Sequence, residues 1–82
     1  MLKLINLKKD DINIEADFIP EDSDKIAHII MNINSMEYSA DEIEGFGKVY
    51  ARMAANGLIS TIEELNGGKI EELPSERLVM WY

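Results

Sequence analysis

The residues that could do chemistry in this chain are few. His28 is its only histidine, and it has no cysteine. A histidine can shuttle protons near neutral pH, but catalysis also needs a group for it to activate. Ser23, Ser35, Ser39, Ser60 and Ser75 lie in no G-x-S-x-G context. His28 itself falls inside an apolar run, residues 26–33, where a lone histidine is more often structural. Asp22-Ser23-Asp24 has the start of a calcium loop. The next ligand position holds Ile26, and the glycine position holds Ala27, so the match fails. Glu63-Glu64 and Glu71-Glu72 are adjacent pairs, and adjacent residues on a helix do not face each other. Gly45-Phe46-Gly47 would need a glycine at position 50 to read as a dinucleotide fingerprint, and that residue is Tyr50. Lys48, Arg52 and Lys69 are too sparse for a nucleic-acid footprint. Trp81 and Tyr82 could stack on a base, but they close an apolar run that reads as core. No catalytic residue, cofactor site or metal site is expected.

Size and charge narrow the classes further. Eighty-two residues make one domain, 1–82, with a thin stability margin and no disulfide to reinforce it. The formal charge is −8. Residues 10–44 hold eleven acids and one Lys or Arg, Lys25, whereas residues 1–9 hold Lys3, Lys8 and Lys9 and no acid. Such acidity disfavours phosphate backbones, so no nucleic-acid partner is expected. It is first a solubility feature. A sharper reading is an acidic inhibitor that mimics nucleic acid, using Asp10, Asp11, Glu15, Asp17, Glu21, Asp22 and Asp24. No apolar run reaches the roughly 20 residues that span a bilayer, and Met1-Leu2-Lys3 leads into no long apolar stretch. A cytoplasmic protein without a membrane partner or signal peptide is expected.

The hydrophobic pattern sets the elements. Residues 2–7 read as a first strand with imperfect alternation: Leu2 and Leu4 on one face, Ile5 and Leu7 on the other. Either a bulge shifts the pleat or both faces meet apolar partners. Lys8-Lys9-Asp10-Asp11 is turn-like. Ile12, Ile14, Ala16 and Phe18 then alternate with Asn13, Glu15, Asp17 and Ile19, the pattern of a half-buried strand in a hairpin with the first. Pro20 stops it. In the third strand, 26–33, Ala27, Ile29, Met31 and Ile33 share one face; Ile26, His28, Ile30 and Asn32 share the other. Asn34-Ser35 is a turn, and Met36-Glu37-Tyr38 can return as a short fourth strand.

A long amphipathic stretch follows, 41–66. Ile43, Phe46, Tyr50, Met53, Ala54, Leu58, Ile62 and Leu65 recur at helical spacing. Ser39 with Glu42 fits a capping box, so the helix is expected to begin near Ser39 or Asp41. Asn56-Gly57 could divide it; the stripe keeps phase there, and one helix is expected, ending at Asn66-Gly67-Gly68. Pro74 lies in a loop, 69–75. The closing run from Glu76 to Tyr82 reads as a strand at the centre of the sheet, with Leu78, Met80 and Tyr82 on one face and Val79 and Trp81 on the other.

The fold expected is therefore α+β: an antiparallel sheet of four to five strands with one long helix on one face, in the order β-β-β-(β)-α-β. That leaves a second sheet face with Ile5 or Leu7, Ile19, Ile30, Val79 and Trp81, an unusual patch to leave in water. Two explanations stand: an interface, or cover from loops and residues 67–76. The expected role is a small non-enzymatic interaction module that forms a homodimer or binds a protein partner through this face or a strand edge. Ile19, Ile30, Val79 and Trp81 are the expected interface residues. The alternatives are the acidic mimic and a small enzyme using His28 with a nearby carboxylate.

Pro74-Ser75-Glu76-Arg77-Leu78-Val79-Met80-Trp81-Tyr82 and Ala27-His28-Ile29 resemble segments in a group of short uncharacterised bacterial proteins that end in a VMWY-like signature. The resemblance implies a small bacterial protein and brings no catalytic residue with it.

Overall fold

The computed structural model describes residues 2–20, 24–41 and 49–79. Five strands form one antiparallel sheet: β1 (Leu2–Lys9), β2 (Asn13–Pro20), β3 (Ala27–Asn32), β4 (Tyr38–Ala40) and β5 (Glu76–Val79). One helix, α1 (Val49–Asn66), packs across the sheet against β1, β2, β3 and β5. The strand order is β4-β3-β2-β1-β5. This is the expected α+β fold, with one difference. β5 lies at an edge, paired only with β1, and the centre belongs to β2. Apolar residues on both sides of a terminal strand suggest burial between neighbours, yet β5 lacks an outer neighbour among the described residues.

The alternation of β1 breaks at a bulge. Asn6 adopts φ 54°, and the register to β2 shifts between Ile5 and Lys8. Asn is among the few non-glycine residues that adopt this conformation readily. The extra residue swings Leu7 onto the buried side with Leu2 and Leu4, while Ile5 stays half-buried on the other side. The two hairpin turns are closed by side chains. The Asp10 carboxylate accepts the N–H groups of Ile12 and Asn13 at 2.8 and 2.7 Å, and the Asn32 amide oxygen accepts those of Asn34 and Ser35 at 2.8 and 3.0 Å.

The core is the inner face of β1–β3 against α1. Leu2, Leu4, Ile14, Phe18, Ile29, Met31 and Leu58 are fully buried. The helix meets them with small residues, Ala51, Ala54, Ala55 and Gly57, followed by Leu58, Thr61 and Ile62. The centre of the stripe is thus rotated from the larger residues Tyr50, Met53 and Leu65, which sit at its margins, partly buried. Small side chains let the helix backbone approach the sheet. The buried Thr61 hydroxyl donates to the Gly57 carbonyl at 2.8 Å.

The helix runs through Asn56-Gly57 unbroken, as its phase predicts. It ends in a Schellman motif: Lys69 N–H bonds to the Glu64 carbonyl, Gly68 N–H to that of Leu65, and Gly68 takes φ 73°. Of its two expected starts, Ser39 is corrected. Ser39 belongs to β4, paired with Ile30, and Asp41 prolongs that ladder by donating its N–H to the His28 carbonyl. Ser39 is therefore no helix cap. Glu42, Ile43, Gly45, Phe46 and Gly47 lie outside the described residues.

Candidate protein-interaction surface

Strand geometry divides every strand into a row facing α1 and a row facing away. The outer row of β2 carries Asn13, Glu15, Asp17 and Ile19; that of β3 carries His28, Ile30 and Asn32. β1 contributes Lys3 and Ile5, across from Ile19 and Asp17, and Lys8 beyond the bulge, across from Glu15. β4 contributes Ser39 across from Ile30. No helix or strand among the described residues lies over this face.

Its centre is charged. His28 Nδ1 lies 2.8 Å from Asp17 Oδ1, and Nε2 lies 3.4 Å from Glu15 Oε2. Asn6, placed by the bulge, donates its amide to Asp17 Oδ2 at 3.0 Å. The Asp17 hydrogen bond raises the pKa of His28 above its ordinary value. Partial desolvation opposes that shift, and Glu15 adds to it. The same bond, then that from Asn6, lowers the pKa of Asp17. Both ring nitrogens of His28 face carboxylates, an arrangement that suits the imidazolium, which is a donor at each. The small-enzyme reading finds its nearby carboxylates here, in Asp17 and Glu15.

Ile5, Ile19 and Ile30 surround this cluster, the first two half-buried and Ile30 36% exposed. Two shallow grooves meet at Asn13 and Ile30. One, about 250 Å³, is also lined by Lys8, Lys9, Asp10 and Glu15. The other, about 280 Å³, runs to the β4 edge along Asn32, Glu37, Tyr38 and Ser39. Neither is lined by His28. Among the described residues, no group of three or more His, Asp or Glu is placed to hold a metal ion.

Of the expected interface residues, Ile19 and Ile30 share the open face. The backbone of Val79 pairs across from Leu2, and that of Leu78 across from Lys3. Alternation fixes which residues of a strand share a face, but only pairing with β1 decides which face that is. Trp81 lies outside the described residues. Among the described residues, Ile5, Ile19 and Ile30 share the open face with Asn13, Glu15, Asp17 and His28. The missed feature is the His28–Asp17–Glu15 group. Its signal was present in the alternation of β2, whose outer positions hold two acids between Asn13 and Ile19.

The acids assigned to a mimic are dispersed. Asp10 closes the β1–β2 turn, and the hydrogen bonds from Asn13 and Ile12 lower its pKa. Glu15 and Asp17 are engaged by His28, and Asp24 is beyond the opposite end of β2 from Asp10 and Asp11. Glu21 and Asp22 lie outside the described residues.

The two sheet edges differ. At β5, Arg77 grips Glu64 of α1 through both guanidinium nitrogens, at 2.6 and 2.7 Å. That geometry lowers the Glu64 pKa and raises that of Arg77. At β4, Tyr38 and Ser39 are exposed. No helix of the described residues is long and apolar enough to cross a membrane. Comparison with protein families, with curated proteins and with solved structures finds no match.

Proposed function

We propose that this chain is a small non-enzymatic protein-interaction module that binds another protein chain with the open face of its sheet. The observation that carries the reading is the arrangement of that face. Ile5, Ile19 and Ile30 stand around a hydrogen-bonded charged cluster, with grooves beside Ile30 and the helix on the opposite side. Isoleucines beside hydrogen-bonded charged groups offer a partner apolar area to bury and fixed polar groups to orient it.

The test is paired substitution. Ile19→Asp with Ile30→Asp should weaken binding to a partner reconstituted from purified components by at least about tenfold, the scale of a modest hot spot. Arg52→Asp, exposed on the helix, should leave it unchanged. Equal affinity for both variants sinks the proposal. Light scattering over a concentration series distinguishes a second copy from a different partner.

A further inference from the structure

We infer that the β4 edge accepts an extended basic segment of a partner protein, which adds to the sheet as a sixth strand. This rests on the interaction-module reading and names the partner chemistry.

The backbone supplies the docking groups. Asn32 N–H bonds to the Glu37 carbonyl, and Asp41 N–H bonds to the His28 carbonyl. Between them, Ser39 pairs with Ile30. These three pairs alternate along the ladder, so the N–H and C=O groups of Tyr38 and Ala40 point away from β3. Among the described residues no strand lies beyond them. That row is the template on which an extended segment adds.

The side chains select the segment. Glu37, Ser39 and Asp41 fall in the same row, the open-face row of Ile30. The groove lined by Ile30, Asn32, Ser39 and Glu37 opens onto this edge from that face. An incoming strand would place alternate residues across from Glu37, Ser39 and Asp41. Complementarity asks for Lys or Arg at the two ends and a small apolar residue between them, above the groove. No Lys or Arg occurs between Lys25 and Lys48 to neutralise these acids locally. A second copy fits worse. The two-fold register that pairs all of Tyr38, Ser39 and Ala40 sets Glu37 across from Asp41 of the other chain, twice, and like charges directly opposite destabilise a strand pair.

The experiment uses the full chain, isotope-labelled, and a capped peptide of sequence Thr-Lys-Thr-Val-Thr-Lys-Thr. Titration at low salt should shift the amides of Tyr38, Ser39, Ala40 and Asp41, with binding weakened several-fold at high salt. The same peptide with Glu for both Lys should not bind. Glu37→Lys with Asp41→Lys should invert that preference, and Glu37→Lys alone, which leaves the backbone bonds at that position in place, should weaken the Lys peptide. Ala40→Pro removes an outward N–H without touching the β3 ladder and should abolish binding. No shift at millimolar peptide, equal binding of the Lys and Glu peptides, or shifts confined to α1 or β5 overturns the inference. So does self-association whose shifts map to Tyr38–Ala40. In each case the open-face proposal stands or falls separately, on the Ile19 and Ile30 variants.

Discussion

The two faces of one sheet are built from the same strands and obey opposite rules. On the inner face every large residue of β2, Ile14 and Phe18, has lost all contact with water, and α1 closes over it. On the outer face their immediate neighbours Asn13, Glu15, Asp17 and Ile19 stay half-exposed, and the two acids are met by Asn6 of β1 and His28 of β3. Burial is concentrated on the inner face, and no helix or strand among the described residues covers the outer one. The contrast is sharpest at Phe18 and Ile19. A chain of this size is stable by on the order of 4–12 kcal/mol. Phe18→Ala should cost about 3–5 kcal/mol, enough to leave the protein marginal or unfolded. Ile19→Ala should cost under about 1 kcal/mol. Urea denaturation of both checks this; comparable losses would abolish the distinction between the faces.

The bulge is where β1 changes allegiance between them, and it tests how the division is made. Asn6 at positive φ turns Leu7 inward and simultaneously reaches Asp17 on the outside. Asn6→Val places a β-branched residue in a conformation it resists and should lose about 1–2 kcal/mol. Asn6→Gly relieves the backbone but deletes the bond to Asp17, so its loss should be smaller. A Val variant as stable as the Gly variant would mean that backbone conformation does not govern this crossing.

At the margins of the sheet the expected effects are local. Arg77→Gln breaks the two-pronged hold on Glu64, so amide exchange should quicken in β5 while the centre of β2 is unaffected. Acceleration spread evenly over all strands would show that β5 is not held separately.

What the sequence reveals follows the same boundary. The inner face was legible because a period of two or of 3.6 in apolar residues has one consequence. Ile14, Ala16 and Phe18, Ala27, Ile29 and Met31, and Leu58 and Ile62 fall in such rows and are buried; Ile12, in the same row by alternation, lies in the turn before β2 and is exposed. The β1 irregularity was legible as a choice between a bulge and two covered faces, and the φ of Asn6 decides for the bulge. The edge position of β5 was not legible, because strand order depends on pairing between distant segments. Ser39-x-x-Glu42 read as a helix cap because serine and glutamate at that spacing suit a helix start. The backbone at Ser39 is instead claimed by Ile30, a partner that local spacing does not reveal. The His28 cluster was split between two strands, so its members were weighed separately, as a lone histidine and as surface acids.

That cluster gives the smallest effect and the most direct probe of the outer face. The pKa of His28 is raised above 6.5 in the folded protein, so its contribution to stability is complete below that value and is lost as pH rises through the folded pKa. The pKa of Asp17 is lowered from 3.8, so its contribution is complete above that value and is lost as pH falls through the folded pKa. The pair is therefore strongest between the two titrations. Its side chains are 47% and 29% exposed, so solvent screening holds the contribution to about 0.5 kcal/mol or less. Glu15 is the other acid beside the ring and favours the imidazolium; the Asp41 carboxylate accepts the His28 backbone N–H at 3.3 Å. The stability difference between wild type and His28→Gln should be greatest between pH 3.8 and 6.5, and shrink as pH rises through the folded His28 pKa or falls through the folded Asp17 pKa. A difference that grows as pH rises through the folded His28 pKa would mean that the neutral ring is the stabilising form. The open face would then be held by packing of the imidazole against its isoleucine neighbours, and its likeness to the inner face would be closer than its charges suggest.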